Sequence, residues 1–289
     1  MMRFEKYFQP TSVEECQTIL KEYGADAKVL AGGTDLVPRL KNGLLRPVAV
    51  IGLMDIPGID VIEVSDNGLT LGTLANLRKI SLDKRLEKNY KVVMEACGHV
   101  SSMQVRNIAT IGGNACNASP SADAIHGLLL NDAVVTIASG DGTREMPLHE
   151  FFKGPGKTAL ENGEMVLKFF VPAPKAHTGA SYQKYAIRGD SDISIVGAGA
   201  RLTLTEDGTV AEARITLASV APTPLRMFEA EKMLVGSKLD TQIIERVAEL
   251  CSTQISPITD QRATREYRIE MVRVWVRHAL EQAHERAKS

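Results

Sequence analysis

Two short stretches pair glycines with small polar side chains: Ala31-Gly32-Gly33-Thr34-Asp35 and Thr110-Ile111-Gly112-Gly113-Asn114. Glycine tolerates positive φ and lets a second backbone or a ligand approach closely. Successive N–H groups bared by such a turn form a concave anion site of the kind that holds a pyrophosphate. Either stretch alone reads equally well as a tight turn. Two in one chain point to a dinucleotide held from both sides. Neither has the G-x-G-x-x-G of a Rossmann fingerprint, and neither closes with the G-K-[ST] of a P-loop. Gly197-Ala198-Gly199 has Leu202 where a third glycine would stand, inside a β-rich run, and reads as a flattened strand with close packing.

The remaining reactive side chains are scattered. Cys16, Cys97, Cys116 and Cys251 make no C-x-x-C pair and no thiolate cluster for an iron–sulfur centre. The histidines show no zinc-type pairing, so metal chemistry is expected in another chain. Asp35 is expected to cap its loop rather than act as an acid–base group. His99 and His126 are expected to be hydrogen-bonded structural residues, and Cys116 a small buried hydrophobe just past the second loop.

These loops need elements to hold them. Thr11-Ser12-Val13-Glu14-Glu15 carries a doubled capping-box signal, and Val13, Cys16, Ile19, Leu20 and Tyr23 follow at helical spacing up to Gly24. Lys28–Ala31 reads as a buried strand entering the first loop, and Val48–Leu53 as another. Val61–Val64 and Leu69–Gly72 flank Asp66-Asn67-Gly68, the chemistry of a type I′ hairpin. A helix around Asn89–Val100 leads to the second loop, with strands expected at Ala133–Ala138 and Val166–Val171. Ile193–Thr205 and Ala213–Val220 form a hairpin around Glu206-Asp207-Gly208. Helices follow, the last over Arg268–Ala287, expected to be an amphipathic surface helix. Breaks at Pro57-Gly58 and Pro172-Ala173-Pro174 divide the chain into 1–58, 59–173 and 174–289: strand-and-helix, mixed sheet, then hairpin sheet with helices. The class is α+β.

At this level of detail the residues resemble a known family. Leu30–Pro38 (LAGGTDLVP) and Thr110–Asp123 (TIGGNACNASPSAD) are similar to the paired FAD loops in the flavoprotein subunit of molybdenum hydroxylases, the group of carbon monoxide, xanthine and nicotinate dehydrogenases. Tyr185-Ala186-Ile187-Arg188, Asp192–Val196 and Ala221-Pro222-Thr223-Pro224 with Arg226, Ala230, Glu231 and Gly236 continue the likeness in order. The resemblance implies a two-part FAD-binding module of the two-loop flavoprotein type plus a C-terminal α+β domain. FAD would be bound without a covalent link, between the first two parts.

The resemblance also implies roles. Leu30, Ala31, Gly32, Gly33, Thr34 and Asp35 would surround the pyrophosphate, joined by Thr110, Gly112, Gly113 and Asn114, with Val29, Leu36, Val100 and Ile111 as further cofactor-binding positions. Asp123 matches an acidic residue that contacts cofactor hydroxyls, with helix capping as its plainer role. Val166 would meet the flavin's pyrimidine edge through its backbone. Val100 stands where some relatives carry a packing aromatic, a departure that leaves stacking unsupported. Lys184 would lie near the flavin ring and favour the reduced anion, the plainer reading being a solvated surface lysine. At about 4 Å and an effective dielectric near 20 its attraction is at most on the order of 4 kcal/mol, an effect of tens of millivolts. Partners would be a large molybdenum-cofactor subunit and a small subunit with two [2Fe–2S] clusters, in a dimer of heterotrimers that delivers electrons to NAD or another acceptor. The alternative is a stand-alone FAD-dependent oxidase or dehydrogenase of the same superfamily, which would need a convergent acid–base set that the helical tail does not offer.

Composition sets the outer limits. At 289 residues, 44% apolar and 24% charged, the chain can build two or three cores. A net charge of -1 gives no reason to expect nucleic acid as a partner. No apolar run reaches bilayer length and the start, MMRFEKYFQP, has no signal-peptide core, so a cytoplasmic protein without a transmembrane segment is expected.

Overall fold

The computed structural model describes residues 4–140, 142–189 and 191–289. Three main sheets succeed one another along the chain, each with its own helices. The first is parallel, with β1 (Lys6–Phe8), β2 (Ala27–Leu30) and β3 (Ala49–Gly52) in the order β1-β3-β2. Parallel neighbours require crossovers. Helix α1 (Val13–Tyr23) joins β1 to β2, and α2 (Leu36–Lys41) joins β2 to β3. One half of the expected capping box forms, the Glu15 N–H donating to Ser12 Oγ at 3.2 Å, while the Glu15 carboxylate accepts from the N–H of Thr11, one residue before the N-cap, at 2.8 Å. The helix stops at Gly24, φ 53°, whose N–H returns to the Leu20 carbonyl. Cys16, Ile19 and Leu20 on α1 pack against Ile51 and Leu53.

The middle region begins with the hairpin β4 (Ile62–Ser65) and β5 (Gly68–Gly72). Five short helices follow: α3 (Leu77–Leu82), α4 (Lys91–Gly98), α5 (Met103–Arg106), α6 (Ile111–Asn117) and α7 (Asp123–Leu129). Strands β6 (Val134–Ser139) and β7 (Gly142–Pro147), the small pair β8 (Phe152–Gly154) and β9 (Lys157–Thr158), and β10 (Met165–Pro172) complete it. The sheet order is β4-β5-β10-β6-β7, and every pairing is antiparallel, so the expected mixed sheet is corrected. Leu69, Leu71, Val135, Ile137 and Phe169 share one core with Ile80, Val93, Ile125 and Leu128 from the helices. Burying each such side chain is worth roughly 1.5–3 kcal/mol against exposure. The hairpin forms with Asp66-Asn67 as its loop, but neither residue has positive φ, so the turn is not type I′. Gly68 serves the sheet instead: a Cβ there would lie 2.4 Å from the Val171 carbonyl oxygen.

The third sheet is antiparallel, β11 (Thr178–Tyr185), β12 (Val196–Leu204), β13 (Val210–Ala218) and β14 (Leu225–Arg226) in sequential order. Helices α8 (Phe228–Leu234), α9 (Thr241–Thr253) and α10 (Arg265–Lys288) cover it. Strand β12 is buried along its whole length, and the Gly197-Ala198-Gly199 stretch packs closely as expected, since a Cβ on Gly197 would meet Tyr182 Oη at 2.3 Å. β12 starts at Val196 rather than Ile193 because residues 193–195 belong to the connection from β11. Val272, Val276, Ala279, Leu280, Ala283 and Ala287 form the apolar buried face of α10, joined by Arg268, which is 2% exposed and bonds the Ile195 carbonyl and Asp260. Gly179 admits the helix: a Cβ would sit 2.2 Å from the Ala283 carbonyl oxygen.

Candidate cofactor cleft

Loops from all three regions meet around a cleft of about 780 Å³, within the usual size of a ligand site. Ala31, Gly32, Gly33, Thr34 and Asp35 form one wall, where β2 hands over to α2. Gly33 turns the chain at φ 74°. Val37 and Arg39 N–H groups bond back to the Gly33 and Asp35 carbonyls, yet the N–H groups of Gly32, Gly33, Thr34, Asp35 and Leu36 meet no protein acceptor among the described residues. The residues of that run are half-buried, apart from Asp35, which is exposed. Neighbouring unbonded N–H groups at a cleft wall offer a concave site for an anion. Asp35 stands at the N-cap position of α2 without a side-chain capping bond, which corrects the expected capping role.

The second glycine pair is built differently. Residues 111–114 are the first turn of α6, not an open loop. Their amides are occupied: Ile111 N–H to Ala75 O, Gly112 N–H to Thr73 O, Gly113 N–H to Thr110 Oγ1, and Asn114 N–H to Thr110 O. The expectation of a second amide cradle is corrected on that ground. Gly112 is glycine because a Cβ would fall 1.9 Å from Thr73 Oγ1. Gly32 lets the two walls touch, since a Cβ there would lie 2.1 Å from the Ile108 carbonyl oxygen. What this wall offers a ligand is the Asn114 side chain, whose Oδ1 is buried without a hydrogen-bond partner among the described residues.

Asp123 opens α7 at the floor, 5% exposed. Its carboxylate does not cap the helix. Oδ1 accepts from Tyr182 Oη at 2.8 Å and Ser194 Oγ at 2.7 Å, and Oδ2 accepts from Lys184 Nζ at 2.9 Å. Lys184 donates also to the His99 carbonyl at 2.8 Å, so it is a buried, paired lysine rather than a solvated one. Burial and the Asp123 charge together push the Tyr182 hydroxyl well above the usual tyrosine range. His126, one turn along α7, stacks on Tyr182 with centroids 5.1 Å apart and planes at 7°. Both His126 ring nitrogens are buried without a hydrogen-bond partner among the described residues, which overturns its expected hydrogen-bonded role. Burial lowers its pKa to about 3, so the ring is neutral.

Fourteen expected residues line the cleft: Val29, Ala31, Gly32, Gly33, Thr34, Asp35, Leu36, Val100, Thr110, Gly112, Gly113, Asn114, Asp123 and Val166. Three do not. Leu30 ends β2 with its carbonyl taken by the Leu53 N–H, Ile111 is fully buried, and Lys184 sits behind Asp123. Val166 lies at a register shift of β10 against β6. Cys116 lines the cleft as well, its thiol pushed by burial to about 12 and hence neutral. Residues missed by sequence reasoning include Arg39, Thr73, Ser119, Ser121, Asp192 and Ile193. The signal for Ser119, Ser121, Asp192 and Ile193 was present, inside the same family-like stretches; for Thr73 there was none.

No group of three or more histidine, cysteine, aspartate or glutamate side chains poised for a metal occurs among the described residues. No helix among them is long and apolar enough to cross a membrane.

Comparison with known proteins agrees with this geometry. Residues 2–174 match the FAD binding domain in molybdopterin dehydrogenase, and residues 180–283 match the CO dehydrogenase flavoprotein C-terminal domain. The chain is 32% identical over 287 residues to a xanthine dehydrogenase FAD-binding subunit of Escherichia coli O157:H7, covering 98% of this chain and 97% of that one. It is 30% identical over 283 residues to the carbon monoxide dehydrogenase medium chain of Afipia carboxidovorans, covering 98% of each. A chain in the structure of Hydrogenophaga pseudoflava carbon monoxide dehydrogenase lacking the Mo-pyranopterin moiety superposes with a TM-score of 0.94 at 31% identity, over 98% of each chain. With two family domains in order and relatives matched almost end to end, the chain belongs to the family of FAD-binding subunits of molybdenum-hydroxylase dehydrogenases.

Proposed function

We propose that this chain is the electron-transfer flavoprotein of a molybdenum hydroxylase, taking electrons from [2Fe–2S] clusters of a small subunit and passing them to NAD or another acceptor. A large molybdenum-cofactor subunit would oxidise the substrate. Bound FAD would supply the exchange between one-electron centres and a two-electron acceptor. The run of unbonded amides from Gly32 to Leu36 at the cleft wall is the observation that carries the reading, because it suits the oxygens of a diphosphate. Asn114 would present its side chain to the cofactor, Asp123 would accept from a cofactor hydroxyl, and the Val166 backbone would border the flavin. Lys184 would act through Asp123. Units 1–58, 59–173 and 174–289 would divide the labour, the first two holding the cofactor and the third closing over it. We assign the assembly to the cytoplasm, as a dimer of heterotrimers.

The test is isolation of the chain from its natural source. Flavin absorbance together with two further polypeptides, iron and molybdenum is the expected result. A yellow chain that purifies alone and turns over a substrate would favour a stand-alone dehydrogenase instead. A chain that stays colourless after incubation with FAD would end both readings.

A further inference from the structure

The cleft carries an electrostatic mismatch for an anionic occupant. Four carboxylates line it, Asp35, Asp123, Glu164 and Asp192, against two cations, Lys28 and Arg39. Three of the carboxylates are already paired: Asp123 with Lys184, Glu164 with Arg144 at 2.6 Å, and Asp192 with Arg188 at 2.5 Å. Asp35, beside the free amides, forms no ion pair among the described residues and would repel a diphosphate. Lys28 donates to the Ala25 carbonyl at 3.1 Å. Arg39 alone of the lining cations makes no side-chain hydrogen bond or ion pair among the described residues.

The backbone holds its Cα at the cleft mouth, and the side chain is exposed and unbonded among the described residues, free to turn towards an anion. On α2, Asp35, Leu36 and Arg39 line the cleft, whereas Leu40 is 3% exposed in the core. Spacings of three and four residues put those three on one helix face. The Arg39 carbonyl is held by the Leu44 and Leu45 N–H groups, which anchors the residue one turn beyond the amide run. A guanidinium presents a rigid fork of donors that suits phosphate oxygens.

We infer that Arg39 is a further cofactor-binding residue, its guanidinium pairing with the diphosphate that the Gly32–Leu36 amides cradle. The inference rests on the FAD reading above. The test is FAD titration of the full-length apoprotein at low and high ionic strength, followed by flavin fluorescence, in wild type, Arg39→Gln, Arg39→Lys and Lys41→Gln. Lys41, on the same helix, does not line the cleft, so its loss changes net charge equally without touching the site. Arg39→Gln should bind FAD about tenfold more weakly at low salt, which is about 1.4 kcal/mol, and should lose most of the salt dependence. Arg39→Lys should fall between, and Lys41→Gln should follow wild type. The inference is overturned if Arg39→Gln binds as wild type, if Lys41→Gln weakens equally, or if the loss is salt-independent and lysine does not recover it. A wild-type chain that binds no FAD would overturn the cofactor reading as well, an outcome distinct from all of these.

Discussion

Lys184 Nζ stands 2.9 Å from Asp123 Oδ2, and each side chain keeps only 6% of its surface in contact with solvent. The pair joins β11 of the third region to α7 of the second, directly behind the cleft floor. Removing one member of such a buried pair leaves the other charge uncompensated, a loss of about 3–5 kcal/mol. Lys184→Met should therefore lower stability by that order in chemical denaturation. With FAD bound, the bare carboxylate should also lower the flavin potential by roughly tens of millivolts, by the conversion of about 30 mV per 1.4 kcal/mol. The double variant Asp123→Asn/Lys184→Met is neutral at the same place and should recover much of both losses. A potential unchanged in Lys184→Met would remove Lys184 from the cofactor's surroundings.

The glycines should rank by what a methyl group would strike. Gly32→Ala puts Cβ 2.1 Å from the Ile108 carbonyl oxygen, and Gly112→Ala puts it 1.9 Å from Thr73 Oγ1 and 2.5 Å from Thr73 O. Backbone cannot give way as a flexible side chain does. Each should cost about 1–3 kcal/mol and reduce flavin content on purification. Gly113→Ala meets only Thr110 Oγ1, at 2.9 Å, as a close contact, so it should be the mildest of the three. Equal flavin content in all three variants would show that the walls tolerate separation.

Much of this organisation was readable from residue order, and the failures have physical causes. The first loop announces itself because β2 is apolar and two glycines follow it at once. The second misleads because Gly112 and Gly113 disfavour helix, by about 1 kcal/mol each relative to alanine. Tertiary contact with Thr73 and the Thr110 cap outweigh that preference, and α6 forms with its amides closed to a ligand. Lys184 and Asp123 are 61 residues apart, so nothing local reveals that the lysine is neutralised. His126 shows the same limit: a histidine with no bonded nitrogen is visible only once Tyr182 is seen lying flat against it.

His126 also gives the chain a defined acid sensitivity. Burial holds its folded-state pKa at about 3, against an ordinary value of 6.5. Between those values the unfolded chain binds a proton that the folded chain refuses, so stability rises with pH across the window. The contribution is fully present above pH 6.5 and is lost as pH falls towards 3, with a limiting slope of about 1.4 kcal/mol per pH unit. His126→Phe keeps a ring against Tyr182 and has no proton to bind. Since neither imidazole nitrogen has a partner to lose among the described residues, the variant should be at least as stable as wild type at neutral pH. Urea denaturation of both proteins at intervals from pH 7 to about pH 4 would measure the difference. The curves should diverge steadily below pH 6.5, with wild type falling faster; parallel curves would mean that His126 finds a proton acceptor or water in the folded state.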